Sequence, residues 1–310
     1  MSGWKKSTKK SSSDKDMQLT SDSDRITRDY FDSLLLETRY VDAGLPSTAL
    51  SLFGEHFDTP IMTAALSHLN GTAPDGMVAY AQAARMSGAV HWVGMGDERE
   101  LEAILSTGAR TIKIIKPHAD NEVVFRKIAH AVSAGCFAVG MDIDHAFNGT
   151  GGYDSVFGLP MKAKTVAELA EFVQAAGVPF VAKGVLSARD AEKCLRAGCA
   201  GLVVSHHHGM IQYSIPPLMA LPDILSAVSG SIPVFVDCGI ESGMDAYKCL
   251  ALGATAVSVG RHLIPLLKQG AAAVAARMQE MNAELAGIMS RTGVSSLGEM
   301  DPTVIHHRRF

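Results

Sequence analysis

Three histidines stand in a row in the stretch SHHHGM, Ser205 to Met210, directly after the apolar run AGLVV. Imidazole titrates near neutral pH and also ligates metals, so the run offers a catalytic base, a metal site, or neither. The spacing speaks against metal: consecutive residues after a strand cannot easily aim three rings at one ion, and no CxxC or HExxH pattern accompanies them. Other polar residues recur in the same position, at or just past short apolar runs: Ser67 and His68, Lys113, Asp142, Lys183, Asp237, and Gly260 with Arg261. Two glycine-bearing turns, VDCGIESG (236–243) and VGR (259–261), suit an anion. Glycine lets backbone N–H groups face a phosphate, the following helix N-terminus adds positive dipole, and Arg261 supplies a fixed fork of donors.

The elements that must position these groups follow one beat. A β-branched run, a glycine or polar break and an amphipathic stretch rich in Ala, Glu and Lys alternate eight times from residue 60 onward. The predicted strands are 60–65, 89–94, 111–115, 137–142, 179–184, 201–205, 233–237 and 256–260. Strands this uniformly apolar, alternating with helices that close on glycine, predict a parallel sheet covered on both faces. Eight such units predict a closed (β/α)8 TIM barrel, with an open doubly wound sheet as the structural alternative. In a barrel the chemistry gathers at the C-terminal strand ends, where the polar residues above would converge.

Composition narrows the partners. The 310 residues carry a formal net charge of −4 and a pI near 6.3, which offers no basic face for nucleic acid and no sign of an anionic-membrane partner. A small-molecule substrate is expected. Five cysteines, an odd number without a CxxC pair and mostly in apolar segments, read as reduced core residues of a cytoplasmic protein. No run approaches the roughly 18 uninterrupted apolar residues of a membrane helix. Residues 1–24, rich in Ser, Lys and Asp, read as a disordered tail before one barrel domain over 25–310.

The segments VPFVAKGVLSARDAEKCLRAGCAGLVVSHHHG, IPVFVDCGIESGMDAYKCLALGATAVSVGR and MNAELAGIMSRTGVSSLGEM resemble the FMN-dependent α-hydroxy-acid oxidases and dehydrogenases, the group of glycolate oxidase and lactate oxidase. The resemblance is strong over about 178–304 and fainter but collinear over about 30–142. It implies FMN as cofactor at the rim of a TIM barrel, and a homo-oligomer of tetramer size or larger. It implies that His207 is the base that takes the substrate hydroxyl proton while the α-hydrogen goes to flavin N5 as hydride, or in an older view leaves as a proton. It places Asp142 as the carboxylate orienting that base and Lys183 as the cation beside the flavin, where it would meet the charge of the reduced ring. Cofactor contacts would come from Ala65, Leu66 and Ser67 after the first strand, Gly94, Lys113, Ser205, and the cradle of Asp237, Cys238, Gly239, Gly260 and Arg261.

The chain departs from the pattern in one functional respect. Met210 stands where the resemblance implies a carboxylate-binding arginine, no arginine follows Asp142 in the next loop, Ile115 replaces a tyrosine, Lys113 a glutamine, and Glu241 a phosphate-loop arginine. Either a substrate carboxylate is held by other donors, with Lys113, His145, His206 and His208 as candidates beside Met210, or the substrate has no carboxylate there. Oxidation of a hydroxyl-bearing small molecule, an atypical 2-hydroxy acid, is the expected function. A non-redox FMN isomerase similar to the type 2 isopentenyl diphosphate isomerases, or a barrel that has lost catalysis, are the alternatives. The loop 143–164, with its glycines and Tyr153, suits a gating lid.

Overall fold

A computed structural model describes residues 22–308. Eight parallel strands form its sheet: β1 (Ile61–Thr63), β2 (His91–Val93), β3 (Thr111–Ile115), β4 (Ala138–Asp142), β5 (Phe180–Val185), β6 (Gly201–Val204), β7 (Val234–Val236) and β8 (Ala256–Val259). Each lies inside its predicted run or within one residue of it. β8 pairs with β1, Val257 opposite Ile61. The last seam is looser: Leu66 bridges Val93, and Thr63 N–H donates to Val90 O at 3.2 Å. The Tyr80 hydroxyl fastens the β1–β8 seam, donating to Val259 O and accepting from Ala64 N–H. The sheet therefore closes into the barrel.

The period of two along each strand sorts side chains into two cores. Met62, Trp92, Ile112, Ile114, Ala138, Val181, Val203, Phe235 and Ala256 fill the barrel interior, and a hairpin carrying Leu50, Leu52 and Phe57 packs against that interior cluster. The alternate residues, such as Ile115, Val139, Met141 and Val204, pack outward against helices. These are α2 (Gly76–Met86), α3 (Glu98–Ser106), α4 (Asn121–Ala134), α5 (Val166–Ala176), α6 (Ala188–Arg196), α7 (Pro217–Val228), α8 (Gly243–Ala251) and α9 (Ala271–Arg291). Side-chain caps fix several helix starts, with Thr165, Ser187 and Ser242 each accepting a backbone N–H from the first turn.

One expectation is corrected at the N-terminus. Residues 22–24 belong not to a tail but to α1 (Asp22–Ser33), a helix ahead of the barrel. Ser23 is fully buried: its hydroxyl donates to Ile211 O and accepts Ser214 N–H. Asp24 pairs with Arg261 at 2.8 Å, so α1 is fastened over the rim. The remainder of the expected tail lies outside the described residues.

Candidate active site at the C-terminal rim

The interior parity delivers acids and cations to the mouth. Counting in twos past Ile114, Ala138, Val181, Val203 and Phe235 reaches Lys116, Asp142, Lys183, Ser205 and Asp237, all buried. Asp142 lies between two ammonium groups, Lys116 Nζ at 2.8 Å and Lys183 Nζ at 3.0 Å. Burial works against its charge, but Lys183 and Lys116 outweigh burial and hold its carboxyl well below the usual range. Lys183 also faces Asp237 at 3.7 Å. Burial disfavours its ammonium, yet Asp142 and Asp237 hold its pKa above the ordinary lysine value, so it is a fixed cation.

The three histidines diverge. His206 turns back to α1, its Nε2 at 2.8 Å from Thr27 Oγ1. His208 faces Asp24 at 3.4 Å. His207 turns over the mouth toward Lys183 and Asp144. Both His207 and His208 adopt positive φ, 48° and 60°, a strained conformation that sends successive side chains apart. Ser205 Oγ accepts His207 N–H at 3.1 Å and props the turn. The ring's Nδ1 lies 3.1 Å from Asp144 Oδ2, 3.4 Å from Lys183 Nζ and 3.8 Å from Asp142 Oδ1. The nearest carboxylate to His207 is therefore Asp144, which sequence reasoning missed. Its place depends on Gly184: a Cβ there would run into the Asp144 carboxyl group.

A cavity of about 610 Å³ opens beside Lys183 and His207 and runs to Gly239, Gly260 and Arg261. Such a volume suits a bound small molecule or cofactor. Ala65, Leu66, His208, Asp237 and Cys238 also line it. Gly239, at φ 79°, leaves room for α1: a Cβ there would sit 2.9 Å from Thr27 Cγ2. Sequence reasoning missed the wall supplied by α1, with Asp24, Arg25, Arg28 and Asp29. Burial opposes the Asp24 charge, but hydrogen bonds from His208 and Arg261 keep its carboxyl well below the usual range.

Other expected residues are placed differently. Lys113, expected at the cofactor, has the opposite strand parity and donates to Gly94 O among the groups of the helical layer. Burial first, and Lys127 second, lower its pKa to about 8. The rim lysine of β3 is Lys116. Ser67 Oγ accepts Met95 N–H at 2.7 Å, a loop brace beside Gly94. Met210 is 40% exposed and does not line the cavity. Of the expected carboxylate donors, Lys113 and His206 are turned away, whereas His145 Nε2 approaches His207 Nε2 at 3.3 Å. The loop 143–164 carries a short hairpin whose Phe157 ring meets His68 edge-on at 5.3 Å, so it reaches across the mouth from β4 to the loop after β1.

Comparison with known proteins gives a consistent result. The family described as FMN-dependent dehydrogenase matches residues 15–166 and 153–307. The L-lactate oxidase of Roseobacter sp. (strain GAI101) is 27% identical over 83% of this chain and 79% of its own. The 4-hydroxymandelate oxidase of Amycolatopsis orientalis is 30% identical over 81% and 80%. Among solved structures, a mandelate oxidase variant with the monooxide FMN adduct superposes with a TM-score of 0.84 at 27% identity, covering 93% of this chain and 92% of that one.

Proposed function

The chain belongs to the FMN-dependent dehydrogenase family, and from that premise we propose that it oxidises a small 2-hydroxy acid, with FMN in the rim cavity and His207 as the base. The residues present fit that cofactor: a fixed cation, Lys183, lines the cavity together with Gly239, Gly260 and Arg261. Bound FMN supplies the acceptor for the electron pair and hydrogen that leave the substrate carbon. Lys183 presents positive charge to any negative charge that builds up beside it, and Arg261 would hold the phosphate.

The observation that carries the reading is the environment of His207. The Asp144 carboxylate at 3.1 Å from Nδ1 stands nearer than the Lys183 ammonium at 3.4 Å, which favours a proton on that nitrogen and leaves Nε2 as the acceptor. The ring can then take the substrate hydroxyl proton at Nε2, and the Asp144 and Asp142 carboxylates stabilise the imidazolium that forms. Asp142 serves mainly to lock Lys116 and Lys183. The reading includes a homo-oligomer in the cytoplasm, in keeping with five unpaired, buried cysteines.

The test is product analysis. FMN-loaded protein supplied with glycolate, lactate and mandelate under air should convert at least one to its 2-oxo acid. Recovery of all three unchanged, with the flavin still oxidised, would contradict the reading.

A further inference from the structure

The position of His145 speaks to substrate class, and the argument rests on His207 as the base. The two imidazoles meet Nε2 to Nε2 at 3.3 Å, with centroids 4.4 Å apart and planes at 75°. Since His207 Nε2 is the acceptor, His145 must donate through its own Nε2–H, leaving its Nδ1 bare. That Nδ1 is buried without a hydrogen-bond partner, and the Asp154 carboxylate stands off at 3.8 Å. A substrate hydroxyl that docks on His207 Nε2 displaces the His145 N–H. The released donor would then lie within reach of the group next to the hydroxyl-bearing carbon, where a 2-hydroxy acid carries its carboxylate.

This donor is neutral. Burial first, then Lys116 and His207, lower the His145 pKa to about 4. Around it stand Lys116 and Lys183 against Asp142, Asp144 and Asp154, with His207 in front. At His145 the three acids outnumber the two ammonium groups, so the net field at this position gives an anion no advantage. A buried guanidinium would discriminate strongly for a carboxylate through two charge-paired bonds, whereas a single neutral imidazole N–H donates to a carboxylate or to an uncharged carbonyl oxygen with a much smaller preference for the charged one.

We infer that His145 is the specificity-determining residue that reads the group beside the substrate hydroxyl, and that it admits uncharged 2-hydroxy carbonyl compounds, amides and esters, along with the acids.

The test compares mandelate with mandelamide, and lactate with lactamide, by anaerobic flavin reduction in the FMN-loaded protein. The inference expects acid and amide to differ by less than about tenfold in kcat/KM. His145→Ala should raise KM for both, and His145→Arg should shift preference to the acid by about 10- to 100-fold. A pH profile separates this role from a merely structural one. Loss of a donor to the base's lone pair should move the acidic limb of kcat/KM upward in His145→Ala and leave that of kcat in place, because substrate has already displaced the donor. Acid preferred by more than about 100-fold in the unaltered protein, or identical profiles in the variant, would overturn the inference and leave the oxidation itself standing. Reduction by none of the four compounds would sink both.

Discussion

At the residue scale, the site is a set of charges whose neighbours decide what each can do. Lys183 keeps its proton because Asp142 and Asp237 hold it, and His207 keeps its orientation because Asp144 can approach. That approach needs a residue without a Cβ at position 184, where φ is 91°. Gly184→Ala should therefore displace Asp144 and lower kcat by about 10- to 100-fold with the flavin still bound, read as turnover alongside the flavin spectrum. Much of this level was legible in the sequence, because Asp142, Lys183, Ser205 and Asp237 each end or directly follow an apolar run and His207 comes two residues after Ser205. Lys116 was legible too, since Ile112, Ile114 and Lys116 share one strand parity, but the place of Lys113 on that strand and the resemblance both point to Lys113 as the rim lysine. Asp144 left no such trace: it lies beyond the strand, and its partner ring is 63 positions away in sequence.

At the element scale, the barrel strands were readable because an all-apolar run between amphipathic helices has few other structural outcomes. The helix α1 was not. Its first three residues read as tail and the mostly polar remainder does not mark an element, and only the folded chain shows Phe31 fully buried and Arg28 bonded to Asp245 at 2.8 Å. The helix brings an acid to the cavity, where Asp24 pairs with Arg261, the residue proposed to hold the phosphate; Glu241 also lines the cavity. A phosphate arriving there meets a carboxylate already on its guanidinium. Asp24→Asn should then tighten FMN by about three- to tenfold, with the gain shrinking as salt is added. Quenching of flavin fluorescence on titration into apoprotein measures this, and an unchanged dissociation constant would show that Asp24 yields without cost.

At the scale of the whole molecule, stability should follow its buried imidazoles. Burial lowers His91 to about 3, and burial with nearby lysines lowers His118 to about 4; His145 is at about 4. Unfolded histidines titrate near 6.5, so between about 4 and 6.5 the unfolded chain binds more protons and stability falls as pH drops. Each histidine contributes up to about 1.4 kcal/mol per pH unit in that window. Urea midpoints should decline from pH 7 to pH 5, and His91→Gln, which removes one group that must stay neutral, should flatten the decline. The depressed Asp142 and Asp237 carboxyls add a further loss only below the ordinary carboxylate range, and the raised Lys183 a loss only above the ordinary lysine range. The barrel thus holds its charged rim, on which the proposed chemistry depends, intact through neutral pH. That chemistry is tested most directly by following the flavin absorbance after anaerobic mixing with a 2-hydroxy acid, in the unaltered protein and in His207→Ala. The account predicts that the band bleaches in the first and does so about 10²- to 10⁴-fold more slowly in the second; equal rates would contradict it.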